Sequence, residues 1–203
     1  MINKLFEYKT NDFKPIIENS KIDIMNSKDT SYKKFLEISN GGYFFCNSLH
    51  LFGFDDINNF NSIKYVNELA RLEYNLDKNI YFIGEDIFGN LFAFHETNVI
   101  FFNIETSEFE IIARDFDHFI EELFSDLDYY TGRIFIKHLN QEERYSLAYG
   151  KRLCPKYPFV LGGEYHMNNL VLKNSIENLS YCASIANQIK DLPEGSKIDI
   201  KLT

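Results

Sequence analysis

IYFIGEDIFGNLFAFHETNVIFFNIETSEFEIIA, residues 80–113, decides the fold. Four short runs rich in Phe, Ile, Val and Leu, at 80–84, 91–94, 99–102 and 109–113, read as strands. The segments between them, EDIFGN, HETN and NIETSE, carry turn-forming residues, so antiparallel hairpins are the economical connection.

Both flanks add helices. Downstream, in DFDHFIEELFSDL, Phe116, Phe119, Ile120, Leu123, Phe124 and Leu127 recur at i, i+3, i+4, i+7, i+8 and i+11, which predicts a helix with one buried face. Its other face carries Asp117, Glu121, Glu122 and Asp126. Such an acidic stripe serves either as solvated surface or as a partner-binding face. Upstream, a helix is expected over 31–38, burying Tyr32, Phe35, Leu36 and Ile38 and stopped by Gly41 and Gly42. In LHLFG (49–53) Leu49 and Leu51 alternate against His50 and Phe52, as in a short strand. Asp55 or Asp56 is then expected to cap a helix carrying Ile57, Phe60, Ile63 and Val66.

Toward the C-terminus, Asn140 and Glu143 stand in capping-box spacing, and Gly150 sits where that helix would end. CPKYPFVLGGEY (154–165), with two prolines and two glycines, marks a boundary or an extended connection. Beyond it a strand-like NNLVLKN (168–174), a helix presenting Ile176, Leu179, Ala183, Ala186 and Ile189 on one face, and an alternating KIDIKL (197–202) form a β-α-β pattern. So short a module cannot easily enclose its own core. The expected architecture is an α+β domain over 1–150, with a mixed or largely antiparallel sheet flanked by helices, and a dependent β-α-β extension over 151–203.

Composition bounds the function. At 203 residues and 45% hydrophobic content the chain can bury a substantial core. A formal net charge of −9 repels nucleic acid and anionic membranes and steers a basic partner inward. Cys46, Cys154 and Cys182 are odd in number and far apart, which suits free, buried thiols in a reducing compartment. The N-terminus is charged where a signal peptide needs an apolar stretch, and no window approaches a membrane span, so a cytoplasmic location is expected.

Searches for catalytic motifs are negative: the sequence has no G-x-S-x-G, no G-x-x-x-x-G-K-[ST] and no H-E-x-x-H. The five histidines, at 50, 95, 118, 138 and 166, stand singly, so neither a metal site nor a cofactor is expected. Two acidic pairs, Asp55/Asp56 and Glu85/Asp86, have two readings. They are turn and cap residues, or they present charge to a basic partner.

Asn40–Gly41–Gly42 after the first helix, Leu49 to Gly53 before the second, Gly84, Asp86 and Gly89 in the central hairpin, and the 115–127 helix form an ordered set. Together, over roughly residues 25–130, they resemble the SUKH superfamily. LGGEYHMNNL and DLPEG are similar to C-terminal extensions of some bacterial members. The resemblance implies an α+β fold, no shared catalytic constellation and, in bacteria, an immunity protein that binds and occludes a toxin, often a nuclease. Fungal relatives look like regulators of cell-wall synthesis. The expected partner is a basic protein toxin, met through Asp55, Asp56, Glu85 and Asp86 or through Asp117, Glu121 and Glu122, by a monomer or weak homodimer. An intracellular scaffold or regulatory interaction module is the alternative.

Overall fold

The computed structural model describes residues 1–11, 29–54, 59–193 and 195–197. Within them seven strands form one antiparallel sheet whose spatial order follows the chain: β1 (Lys9–Asn11), β2 (Gly42–Phe44), β3 (Leu49–Leu51), β4 (Ile80–Glu85), β5 (Leu91–His95), β6 (Asn98–Phe102) and β7 (Phe109–Ala113). The four strands read from residues 80–113 are its second half, joined by the short turns expected of hairpins.

Helices cover both faces. Alternation along β5 turns Phe92 and Phe94 to one side, where Phe92 meets Phe119 at 4.9 Å and Phe94 meets Tyr32 at 5.1 Å between ring centroids. Phe119 belongs to α4 (Phe116–Ser125) and Tyr32 to α2 (Thr30–Ile38), and both rings are fully buried. On the opposite face Phe82 and Phe102 pack edge to face at 5.4 Å, and Tyr74 of α3 (Ile63–Tyr74) closes on Phe102 at 5.1 Å. Asn67 of α3 pins this layer: its Nδ2 donates to the Ile63 and Phe82 carbonyls, and its Oδ1 accepts the Phe82 N–H, each at 2.8 Å. A short α1 (Ile2–Phe6) precedes β1 and buries Ile2 and Leu5.

The glycine-rich stretch at 40–53 answers to backbone geometry. Gly41 has φ +79°, and a Cβ there would sit 2.5 Å from the Leu51 carbonyl oxygen. A Cβ on Gly53 would collide with the carbonyl of Asn40. The Asn40 amide brackets Phe54, donating to its carbonyl at 2.7 Å and accepting its N–H at 2.6 Å. Two chain segments thus pass too closely for any side chain at these two positions.

After β7 the chain runs through α4, α5 (Leu127–Thr131), a 3₁₀ turn at Arg133–His138 and α6 (Gln141–Leu147), the last closed by the expected Asn140–Glu143 capping box. β8 (Lys151–Pro155) and β9 (Leu170–Asn174) then form a separate antiparallel pair, followed by α7 (Ser175–Ile189). The α7 stripe docks as its spacing requires: Leu179, Ala183 and Ala186 are buried in the main core and Ile176 packs against it, while Tyr74 Oη donates to the Leu179 carbonyl at 3.3 Å.

Several local expectations are corrected. The helix carrying Ile63 and Val66 starts at Ile63, capped by Ser62, whose Oγ accepts the Tyr65 N–H. Asp55, Asp56 and Ile57 lie outside the described residues, and Phe60 precedes the helix. Ile38, in the last turn of α2, is 49% exposed. His50 and Phe52 are buried along with Leu49 and Leu51, because β3 is an inner strand covered on both sides. Residues 151–155 form a strand that takes in Cys154 and Pro155, the first two residues of the expected connection at 154–165, with Pro155 at its end, where the missing N–H costs least. The extension therefore begins β-β-α, and the strand expected at 197–202 lies, beyond Lys197, outside the described residues. Cys154 and Cys182 are buried, whereas Cys46 is exposed.

Ending the chain after Gly150 would uncover the apolar surface under Leu179, Ala183 and Ala186. The truncated chain is expected to aggregate or to melt well below the parent, checked by light scattering and a melting curve.

Candidate functional site

Three adjacent strands bring polar side chains into register. Tyr43 of β2 stands opposite His50 of β3, and His50 opposite Glu85 of β4. The Tyr43 and His50 rings stack at 4.1 Å with planes 10° apart, and His50 Nδ1 lies 2.9 Å from Glu85 Oε1. From the extension, Arg152 of β8 brings Nε to 2.9 Å from the same carboxylate oxygen and its guanidinium carbon to 5.4 Å from the Tyr43 ring. Arg152 Nη1 donates to the Lys151 carbonyl at 3.0 Å and the Leu147 carbonyl at 3.3 Å.

All four side chains are buried: Tyr43 1%, His50 0%, Glu85 4% and Arg152 0% exposed. Burial pushes the Glu85 carboxyl up, but Arg152 and His50 outweigh it and hold the group below the ordinary Glu range. For His50 the balance is reversed. Burial lowers it more than Glu85 raises it, so the ring stays neutral. The expectation that Glu85 presents charge to a partner is corrected: its charge is consumed inside the fold.

Asp86, the next residue, turns into a different environment. Its Oδ1 accepts the Phe88 and Asn90 N–H groups at 2.8 and 2.9 Å, and its Oδ2 accepts from Asn90 Nδ2 at 3.0 Å. It holds the β4–β5 turn, the first of the two readings given to it, and at 2% exposure it is no surface acid. Burial raises its carboxyl to about 7 against these bonds.

Asp86 lines a cleft of about 540 Å³ between the β4–β5 and β6–β7 turns, α5, the 155–165 loop and α7. Glu105, on the β6–β7 turn, lines it as well, accepting the Val160 N–H at 2.8 Å, and burial raises its carboxyl too. Phe88, Phe159 and Tyr165 form an aromatic wall with centroids 5.2 to 6.1 Å apart.

The acidic residues of α4 occupy another face. Glu121 is exposed, Glu122 is half-buried with its carboxylate 3.0 Å from His118 Nε2, and Asp117 bonds Ser31 Oγ and lies 3.7 Å from the N-terminal amine. Neither this face nor the cleft joins the Glu85 network into one site. Among the described residues, no group of three or more His, Cys, Asp or Glu could hold a metal ion, and no helix is long and apolar enough to cross a membrane.

Sequence reasoning missed His50, Tyr43 and Arg152 as one cluster. The available signal was the Lys151–Arg152 pair set directly against the apolar Leu153 and Cys154 after a helix-ending glycine.

Residues 29–122 match the model of the SMI1 / KNR4 family (SUKH-1). This segment, which runs from the N-cap of α2 into α4, supports membership of the SUKH superfamily. A crystal structure of Atu4351 from Agrobacterium tumefaciens is similar in fold, with a TM-score of 0.60 and 16% identity over 89% of this chain and 87% of that one. That likeness includes the extension as well as the family segment. No curated protein matches the chain.

Two outcomes follow from the buried groups. Arg152→Met leaves Glu85 buried without its cation and should cost roughly 3–5 kcal/mol in urea unfolding, much of it recovered in Arg152→Met/Glu85→Leu. Parental stability in the single variant would mean that water reaches Glu85.

Asp86 gives a pH signature. With its folded value raised from 3.8 to about 7, the folded chain holds a proton the unfolded chain lacks between those limits. Its contribution is therefore full below 3.8 and is lost as pH rises toward 7, by at most roughly 1.4 kcal/mol per pH unit. His50, lowered by burial, acts in the opposite direction up to its unfolded value of 6.5. Comparison with Asp86→Asn isolates the carboxyl: melting curves at pH 5, 6 and 7 should shift in favour of the variant as pH rises and level off toward pH 8.

Proposed function

We propose that this chain is an immunity-type binding protein that neutralises a basic protein toxin, a nuclease in the simplest case, by occluding its working surface. The match of residues 29–122 to the SMI1 / KNR4 family carries this reading, because bacterial members of the superfamily frequently act so. The net charge of −9 supports it. A nuclease meets phosphates with cationic groups, so an acidic inhibitor fits the same electrostatic footprint and associates quickly. Neutralisation of this kind needs a firm surface and no catalysis. The exposed acids of α4, Glu121 with Asp117 and Glu122 beside it, offer that surface on a helix whose opposite face is locked in the core. In the same reading the protein acts in the cytoplasm, without contacting nucleic acid or membrane itself.

Co-expression with the product of the adjoining open reading frame tests the proposal. That product alone should arrest growth, and this chain should restore it. Growth arrest that persists in the presence of the folded chain would favour the scaffold or regulatory reading. If α4 is the contact face, Glu121→Lys/Glu122→Lys should slow association, flatten its salt dependence and weaken binding about tenfold while the melting curve stays in place.

A further inference from the structure

We propose that the cleft between the β4–β5 turn, the β6–β7 turn and the 155–165 loop is a receptor for an arginine side chain of the protein partner. The inference rests on the toxin-binding reading for the identity of that partner and on the geometry of the cleft for its chemistry.

Three carboxylates, Asp86, Glu105 and Asp128, line the space together with the aromatic wall of Phe88, Phe159 and Tyr165, and no Lys, Arg or His is among its described lining residues. A space of about 540 Å³ admits a long side chain with room for solvent. Carboxylates beside aromatic faces select a cation, and the planar, weakly hydrated guanidinium suits both at once: its N–H fork matches carboxylate oxygens and its face stacks on rings. An ammonium is compact and strongly hydrated and exploits the wall less well. An anion meets the two deep acids, Asp128 being paired with Arg133 at 3.3 Å, and a neutral apolar group leaves Asp86 and Glu105 dry without a counter-charge.

The two deep carboxylates are held in place before any ligand arrives. Asp86 is fixed by three hydrogen bonds from Phe88 and Asn90, and Asn90 Oδ1 in turn accepts the Ile104 N–H at 3.3 Å, next to Glu105. Glu105 is fixed by the Val160 N–H. Neither carboxylate forms an ion pair with a described Lys or Arg, and the nearby Arg152 is committed to Glu85. Burial raises both carboxyls, the condition that an incoming cation relieves. Tyr165 is 58% exposed and Phe159 half-buried, so the outer part of the wall is reachable from solvent, with Phe88 buried behind it.

The probe is N-acetyl-arginine amide, titrated into the full chain and followed by backbone amide NMR, with the isosteric neutral N-acetyl-citrulline amide as control. Shift changes should centre on residues 86–90, 103–106 and 159–165, and the citrulline compound should bind roughly tenfold more weakly or not at all. Glu105→Gln keeps an acceptor for the Val160 N–H and should retain the parental melting curve, yet weaken the arginine compound about fivefold or more. Glu37→Gln, at an exposed position of α2 outside the cleft, should leave its binding unchanged. Equal responses to the two compounds, shifts centred on α4, or parental affinity in Glu105→Gln would each overturn the assignment. Growth rescue by a chain that ignores the arginine probe defeats the cleft proposal alone. Binding of the probe by a chain that gives no rescue keeps the guanidinium site and removes the toxin as its source.

Discussion

The contact between Arg152 and Glu85 is the constraint on which the remaining arrangement depends. Glu85 ends β4 inside the main sheet, and Arg152 sits on β8 of the extension, so one ion pair joins two units that do not share a sheet. Removing a carboxylate from water costs several kcal/mol, and only a partner of opposite charge in a fixed position offsets it. Arg152 meets that condition because β8 is anchored on both sides of it. Leu153 N–H donates to the Ile87 carbonyl at 2.8 Å, and the Lys151 and Leu147 carbonyls receive the guanidinium. A buried pair contributes little net stability compared with an apolar replacement. What it contributes here is register: a one-residue slip of β8 would turn the cation away and strand the acid.

That constraint also explains which parts of the sequence were legible. Residues 80–113 encode their strands locally, because alternating aromatic and aliphatic residues between turn formers have few other uses. The α4 spacing and the Asn140–Glu143 box are equally local and were read correctly. The failures lie where long-range packing overrides local pattern. His50 alternates with Leu49 and Leu51 like an outward residue, yet strands on both sides and Tyr43 stacked at 4.1 Å enclose it. Glu85 and Asp86 read as an acidic pair in a turn. The fold sends one to Arg152, 67 positions later by residue number, and the other into its own turn, and no periodicity in a single sequence reports such a pairing. The Cys154–Pro155 punctuation reads as the start of a connection, and it masks the end of a five-residue strand whose partner is β9.

The extension changes what the SUKH segment can do. The matched residues 29–122 contain the strands β2–β7 and most of α4, but the cleft takes its remaining walls from α5, the 155–165 loop and α7, all beyond that segment. Docking of α7 through Leu179, Ala183 and Ala186 leaves the ends of the β4–β5 and β6–β7 hairpins facing this added layer. The similar fold of Atu4351, which covers 89% of this chain, shows that the core-plus-extension arrangement is not confined to this sequence. At 16% identity the likeness speaks to architecture alone.

Surface chemistry and interior chemistry are thereby separated. Glu85, the acid on which the packing of the extension depends, is withdrawn from solvent and bound to Arg152 and His50. Of the α4 acids, Asp117 ties the helix to Ser31 of α2, whereas Glu121 and Glu122 carry no comparable structural task. Glu121 is exposed, and the His118–Glu122 contact is partly exposed and so contributes little to stability. A binding face built from such residues can change its charge pattern to follow a changing partner while the aromatic core and the Arg152–Glu85 pair stay fixed. The Arg152–Glu85 pair inside the fold and the α4 acids proposed to meet a partner are therefore different carboxylates.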